Sequence, residues 1–161
     1  AFTGLSFVDL KQLAWKHIIT EEDGSLWISM SRQKTDISFS VKLLDIPIKI
    51  IEKYKGISGI GKDDTVFKVL SHRRISDALK TIAKHCNITT NVSFHVARHC
   101  FASQICLSQG VPIESVSRMM GHRNIQTTQR YARVNNEKIG NDMKALSNRL
   151  AYKFTYSTNN Q

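Results

Sequence analysis

The chain has 161 residues, of which 41% are hydrophobic and 22% charged, and a formal net charge of +10. That length holds one ordinary domain with a core of its own, and no apolar run approaches the roughly 20 residues that span a bilayer. Three cysteines in no framework spacing argue against a disulfide scaffold, and AFTGLSFVDL at the start lacks the regions of a signal peptide, so the expectation is a cytosolic protein with free thiols. The charge is uneven. Residues 1 to 60 hold eight Lys or Arg against seven Asp or Glu, whereas residues 61 to 161 hold fifteen against six, a distribution that suggests a polyanionic partner for the later part.

In chain order, residues 6 to 16 read as a short helix. Two or three β-rich runs follow, His17 to Thr20, Ser25 to Met30 and Ile37 to Leu43, with a hairpin turn at Asp23 and Gly24 between the first two. They predict a small antiparallel sheet. Pro47 fits the first turn of a helix ending near Gly56, with Ile50, Ile51 and Tyr54 as its apolar stripe. GISGIGKDD is a loop without the spacing of a nucleotide motif.

From Ser71 the pattern is helical. Ser71 caps a helix whose face Ile75, Ala78, Leu79, Ile82, Ala83 and Cys86 is expected to be buried, which makes Cys86 a core residue. Ser93 caps the next helix, stopped by Gly110. Pro112 starts a short one closed by Gly121, and Asn124 caps IQTTQRYARV. Residues 135 to 150 form the last, with Ile139, Met143, Leu146 and Leu150 as its stripe, before a frayed tail. Cys100, Cys106, Met119 and Met120 read as core.

The stretch SFHVARHC raises a chemical choice. His95 and His99 share a helix face and could hold zinc, but Arg98 between them repels a cation and attracts an oxyanion. A helix N-terminus also favours negative charge. Paired cysteines and a glutamate inside the H-x-x-x-H spacing, which a zinc module would need, are absent.

HVARHCFASQICLSQGVPIESVSRMMGHRNIQTTQRYARV resembles the carboxy-terminal catalytic domain of the tyrosine recombinases, the phage-integrase family. His95 and Arg98 match its H-x-x-R box, Gly121 and His122 its L-G-H box with Met120 for the leucine, and Tyr131 follows at the usual distance. Lys34 in RQKTD is similar to its hairpin lysine, and TGLSFVDL to its first arginine box, with Asp9 at the acidic position. One departure stands out. Ser6 occupies the place of the first catalytic arginine, which leaves Arg32, Arg73, Arg123 or a residue upstream of Ala1 as replacements.

The resemblance implies an α+β fold, mostly helical with a small antiparallel sheet at one edge, over residues 1 to 161, with a C-terminal helix and tail from 135 and an amino-terminal core-binding domain outside this fragment. It implies a site-specific recombinase or integrase of a bacterial mobile element, cytoplasmic, acting on double-stranded DNA without metal or cofactor. Tyr131 is then the nucleophile that forms a 3′-phosphotyrosyl bond. Arg98, His95 and His122 meet the phosphoryl charge, Lys34 is the general acid, and His95 is the acceptor of a phenol proton whose ordinary pKa is about 10. Asp9 and His99 support the site. Arg73, Arg74, Arg118, Arg123, Arg130 and Arg133 are candidates for the DNA backbone. A homotetramer on DNA is expected, with a monomer for the free fragment. The rival readings are relaxation of supercoils in the manner of a type IB topoisomerase, and a DNA-binding protein that lost catalysis with its first arginine.

Overall fold

A computed structural model of the chain describes residues 2–33, 35–57, 59, 61–132 and 136–151. It divides into two compact units, one ending at Tyr131 and one beginning at Ala132. In the first, Ser6 caps α1, Phe7–Gln12. Its Oγ accepts from the Asp9 amide at 3.2 Å, and Asp9 Oδ2 accepts from the Ser6 N–H at 3.1 Å, a reciprocal box. The helix was expected to reach Lys16 and stops at Gln12 instead. Backbone pairing wins there: the Val66 N–H donates to the Leu13 carbonyl at 2.8 Å and the Trp15 N–H to Asp64 at 3.1 Å. Leu13, Ala14 and Val66 are thereby placed in the core.

β1 (Ile18–Thr20), β2 (Leu26–Ser31) and β3 (Ser38–Lys42) form an antiparallel sheet in that order, each within a residue of its expected bounds. Gly24, at φ +77°, turns the chain between the first two. In β3 the side chains alternate, Phe39 and Val41 buried and Ser38, Ser40 and Lys42 exposed. Val41 pairs with Ile28, and the two sit at the centre of the core. α2 spans Asp45–Tyr54, with Pro47 in its first turn. Ile51 is buried, whereas Ile50 and Tyr54 line an open apolar groove of about 300 Å³ shared with Phe2, Leu10, Leu13 and Phe67.

α3, His72–His85, begins at Ser71, whose Oγ accepts from the Arg74 amide at 3.4 Å. Its expected buried face is corrected: Ala83 is buried, but Ile82 is 56% exposed and Cys86 is exposed, not core. Three-four spacing produces an apolar face without supplying an element to cover it. α4, Phe94–Cys100, is capped by Ser93 and continues as a π-helical stretch, Phe101–Cys106, and a tight turn, Leu107–Gln109, until Gly110 at φ +82°. Phe101, Ala102, Cys106 and Leu107 pack inward. α5, Ile113–Met119, follows Pro112 and gives way to Gly121 at φ +57°. Of the four sulfur residues read as core, Cys106 and Met120 are buried and Cys100 and Met119 only half-buried.

Asn124 was expected to cap the next helix, but Ile125 holds the cap position without a side-chain bond, and Asn124 Oδ1 accepts from the Gln126 amide at 2.9 Å in the turn before it. That helix, α6, is a single turn, Gln126–Gln129, shorter than the expected IQTTQRYARV. In the second unit α7 spans Asn136–Ala151, and Ile139, Met143, Leu146 and Leu150 are all at least 38% exposed. Lys34, Arg133 and the tail from 152 lie outside the described residues. Among the described residues no helix is long and apolar enough to cross a membrane.

Candidate active site

Two arginines from distant parts of the chain meet on one carbonyl. Met120 O, at the end of α5, accepts from Arg32 Nε at 3.0 Å, from Arg32 Nη2 at 2.6 Å and from Arg98 Nη2. Arg98, on α4, also donates through Nη1 to the Gly4 carbonyl, so both ends of its fork are fixed by backbone. The glycines flanking these carbonyls are sterically required. Gly4 and Gly121 lie at φ +63° and +57°, a Cβ on Gly4 would overlap Phe101, and one on Gly121 would stand 2.8 Å from Arg32 Cγ and Nε.

Arg32 reaches the carboxylate that Ser6 caps against. It is only 8% exposed, ion-paired through Nη1 to Asp9, which is 2% exposed, and its guanidinium lies 4.4 Å from the Phe39 ring centroid. Ser6 Oγ donates to the same Asp9 oxygen. Serine thus supplies the helix cap, and Arg32, at the end of the sheet hairpin, brings a guanidinium to the same carboxylate. Arg73 and Arg123, the other named replacements within the chain, are exposed. Burial lowers the Arg32 pKa, with Asp9 pulling it back up, and burial followed by repulsion from Arg32 lowers Arg98 to about 10. Both remain charged at neutral pH. Two guanidiniums facing one carboxylate leave a positive excess, which suits an oxyanion.

His122 continues this arrangement. Its Nε2 lies 3.0 Å from Arg98 Nη2 and its Nδ1 2.8 Å from Thr128 Oγ1. Burial, then Arg98, then Arg32 push its pKa down to about 4, so the ring is neutral at pH 7. A depressed folded pKa means that the folded chain binds fewer protons. The stability from this group is therefore complete above the ordinary value of about 6.5 and is lost as pH falls toward 4. NMR titration of the His122 ring is expected to give a midpoint well below 6, and a normal midpoint would contradict this packing.

The Tyr131 ring lies between two imidazoles. It is nearly parallel to His122, at 18° with centroids 6.2 Å apart, and meets His99 edge to face at 5.0 Å. The Tyr131 amide donates to the Thr128 carbonyl at 2.9 Å, which fixes where the tyrosine leaves α6. His99 is exposed and shares a 3.2 Å contact with Ser103 Oγ. His95 is exposed and makes no hydrogen bond, ion pair or ring contact among the described residues.

The family model described as "Phage integrase family" matches residues 2–138 of this chain. The chain belongs to the phage integrase family. A tyrosine recombinase XerC of Myxococcus xanthus is 39% identical over 70 residues, 44% of this chain and 23% of that protein. Among solved structures, that of XerA recombinase superposes with a TM-score of 0.70 at 22% identity, covering 97% of this chain and 56% of the other. That of XerH site-specific recombinase, described as a post-cleavage complex bound to a palindromic difH substrate, gives 0.67 at 18%, covering 91% and 43%. The two structures establish the shared fold. The chain spans no more than about half the length of these relatives.

Set on this integrase fold, the predicted site residues divide. Arg98, His122, Tyr131, His99 and Asp9 come together, with Arg32 among them. Arg73, Arg74, Arg118, Arg123 and Arg130 are exposed, Arg73 and Arg74 in the first turn of α3. Motif reading missed three groups: the Gly4 and Met120 carbonyls and the Thr128 hydroxyl. A backbone oxygen has no signature of its own, although Gly4 and the Gly121 that follows Met120 were visible. Thr128 stands three residues before Tyr131, one helical turn away, which was the available signal.

Proposed function

We propose that the chain is the catalytic domain of a site-specific DNA recombinase, and that Tyr131 becomes joined to the 3′-phosphate of a cut strand. The single observation that carries the reading is the placement of Tyr131 against His122, which is itself bonded to Arg98 beside the buried Arg32. In the step, the phenol oxygen attacks phosphorus and the bond to the 5′-oxygen breaks. The phenol proton passes to His95, and the leaving oxygen takes one from Lys34. Charge that builds on the phosphoryl oxygens is met by Arg98, Arg32 and His122. The two guanidiniums are held by backbone carbonyls and Asp9 before substrate arrives, so they need little reorganisation.

Exposed Arg73, Arg74, Arg118, Arg123 and Arg130, together with Arg133, contact the duplex backbone, which positions DNA without reading its sequence. Assembly as a homotetramer on DNA uses the apolar stripe of α7, with a monomer for the free fragment. The wording FTGLSFVDL supports a bacterial mobile element as source. Retention of a guanidinium at Arg32 weighs against a protein that has lost catalysis. The test is incubation of the full-length protein with nicked attachment-site DNA, followed by denaturation. A covalent adduct is expected that Tyr131→Phe abolishes, and strand transfer to a second duplex separates recombination from simple relaxation. No adduct would sink the reading.

A further inference from the structure

Thr128 is fully buried in the single turn of α6, and its hydroxyl bonds to His122 Nδ1 alone among the described residues. The other ring nitrogen, Nε2, faces Arg98 Nη2 at 3.0 Å. A guanidinium only donates, so Nε2 accepts, and a neutral ring carries its proton on Nδ1 and donates it to Thr128. To contact a phosphoryl oxygen the ring must present a proton at Nε2. Protonating it fully would add a third positive charge beside Arg98 and Arg32, in a site where burial first and then those two arginines already hold the ring neutral. The alternative is to exchange tautomers, one proton leaving Nδ1 for solvent and one arriving at Nε2. Nδ1 then needs a donor. A hydroxyl accepts in the first state and donates in the second by rotation about its C–O bond.

We infer that Thr128 is a positioning residue whose hydroxyl reverses its hydrogen bond with His122, so that the ring changes from acceptor of Arg98 to donor toward phosphate while staying neutral. This rests on the reading of His122 as a phosphate contact. The same residue accepts the Tyr131 amide through its carbonyl at 2.9 Å, so ring orientation and nucleophile position are set by one buried side chain and its backbone.

The test uses the full-length protein with labelled histidine nitrogens, and inorganic phosphate as the probe. His122 is expected to carry its proton on Nδ1 without phosphate and on Nε2 with it. Thr128→Val, which keeps the shape, is expected to slow single-turnover cleavage of a nicked attachment-site duplex by about 10–100-fold with DNA affinity unchanged, and Thr128→Ser to restore it. An unmodified rate in Thr128→Val, a serine variant as slow as valine, or a doubly protonated ring with phosphate would each overturn the inference. Should the valine variant fail to fold, the ring shifts of the unmodified protein and the serine rate still decide. Failure of the recombinase reading is separable, because it appears as no covalent adduct from the unmodified protein while the phosphate titration remains readable.

Discussion

Arg32→Lys is expected to slow single-turnover DNA cleavage by about 10²–10³-fold, the usual cost of losing one fixed donor to a developing oxyanion. Lysine keeps the charge beside Asp9 but loses the planar fork. Arg32 bonds Asp9 through Nη1 and Met120 O through Nε and Nη2, using three of its five N–H groups and leaving two for a phosphate. A structural role alone makes a different forecast, in which the rate follows stability and recovers at temperatures well below unfolding. The swap Ser6→Arg in an Arg32→Ala background sharpens the distinction. It returns a guanidinium to the position the family uses, next to the same Asp9, and part of the lost rate is expected to return despite loss of the Ser6 cap, which costs about 0.5–2 kcal/mol. A swap that folds and stays inactive would show that Arg32 does not stand in for the first arginine.

Asp9→Ala is expected to destabilise the chain by about 3–5 kcal/mol, read from denaturant unfolding midpoints. Asp9 is 2% exposed, and its Oδ2 accepts from Ser6 N, Ser6 Oγ and Arg32 Nη1. Removing it leaves a buried guanidinium close to a second one with no counter-charge. Adding Arg32→Met should recover much of the loss, because an apolar side chain in that place carries no charge to desolvate. The two variants should therefore couple strongly. A loss below about 1 kcal/mol for Asp9→Ala would mean that water reaches this pair and that its burial is not real.

Much of this fold could be read from local pattern. The strands lay within a residue of their alternation, and Gly110 and Gly121 closed helices at positive φ. Local pattern failed where distant chain decides. α1 ends early because residues 64 to 66 pair with its C-terminal flank. The α3 stripe needs a covering element that spacing cannot supply, which is why Cys86 is exposed. Tyr131, Arg98 and His122 were legible as a motif, and Ser6 with Asp9 fits a capping pattern. Arg32 was one replacement among several, because only the closed hairpin brings it to Asp9, 23 residues earlier in the chain.

The residue that joins to DNA is read directly by peptide mapping of the covalent complex with mass spectrometry. The chain has four tyrosines, at positions 54, 131, 152 and 156. The prediction is a nucleotide-modified peptide containing Tyr131, linked through a 3′-phosphate and absent from Tyr131→Phe. A modification on another residue, or an unmodified Tyr131 in a reaction that has cut its DNA, would contradict it.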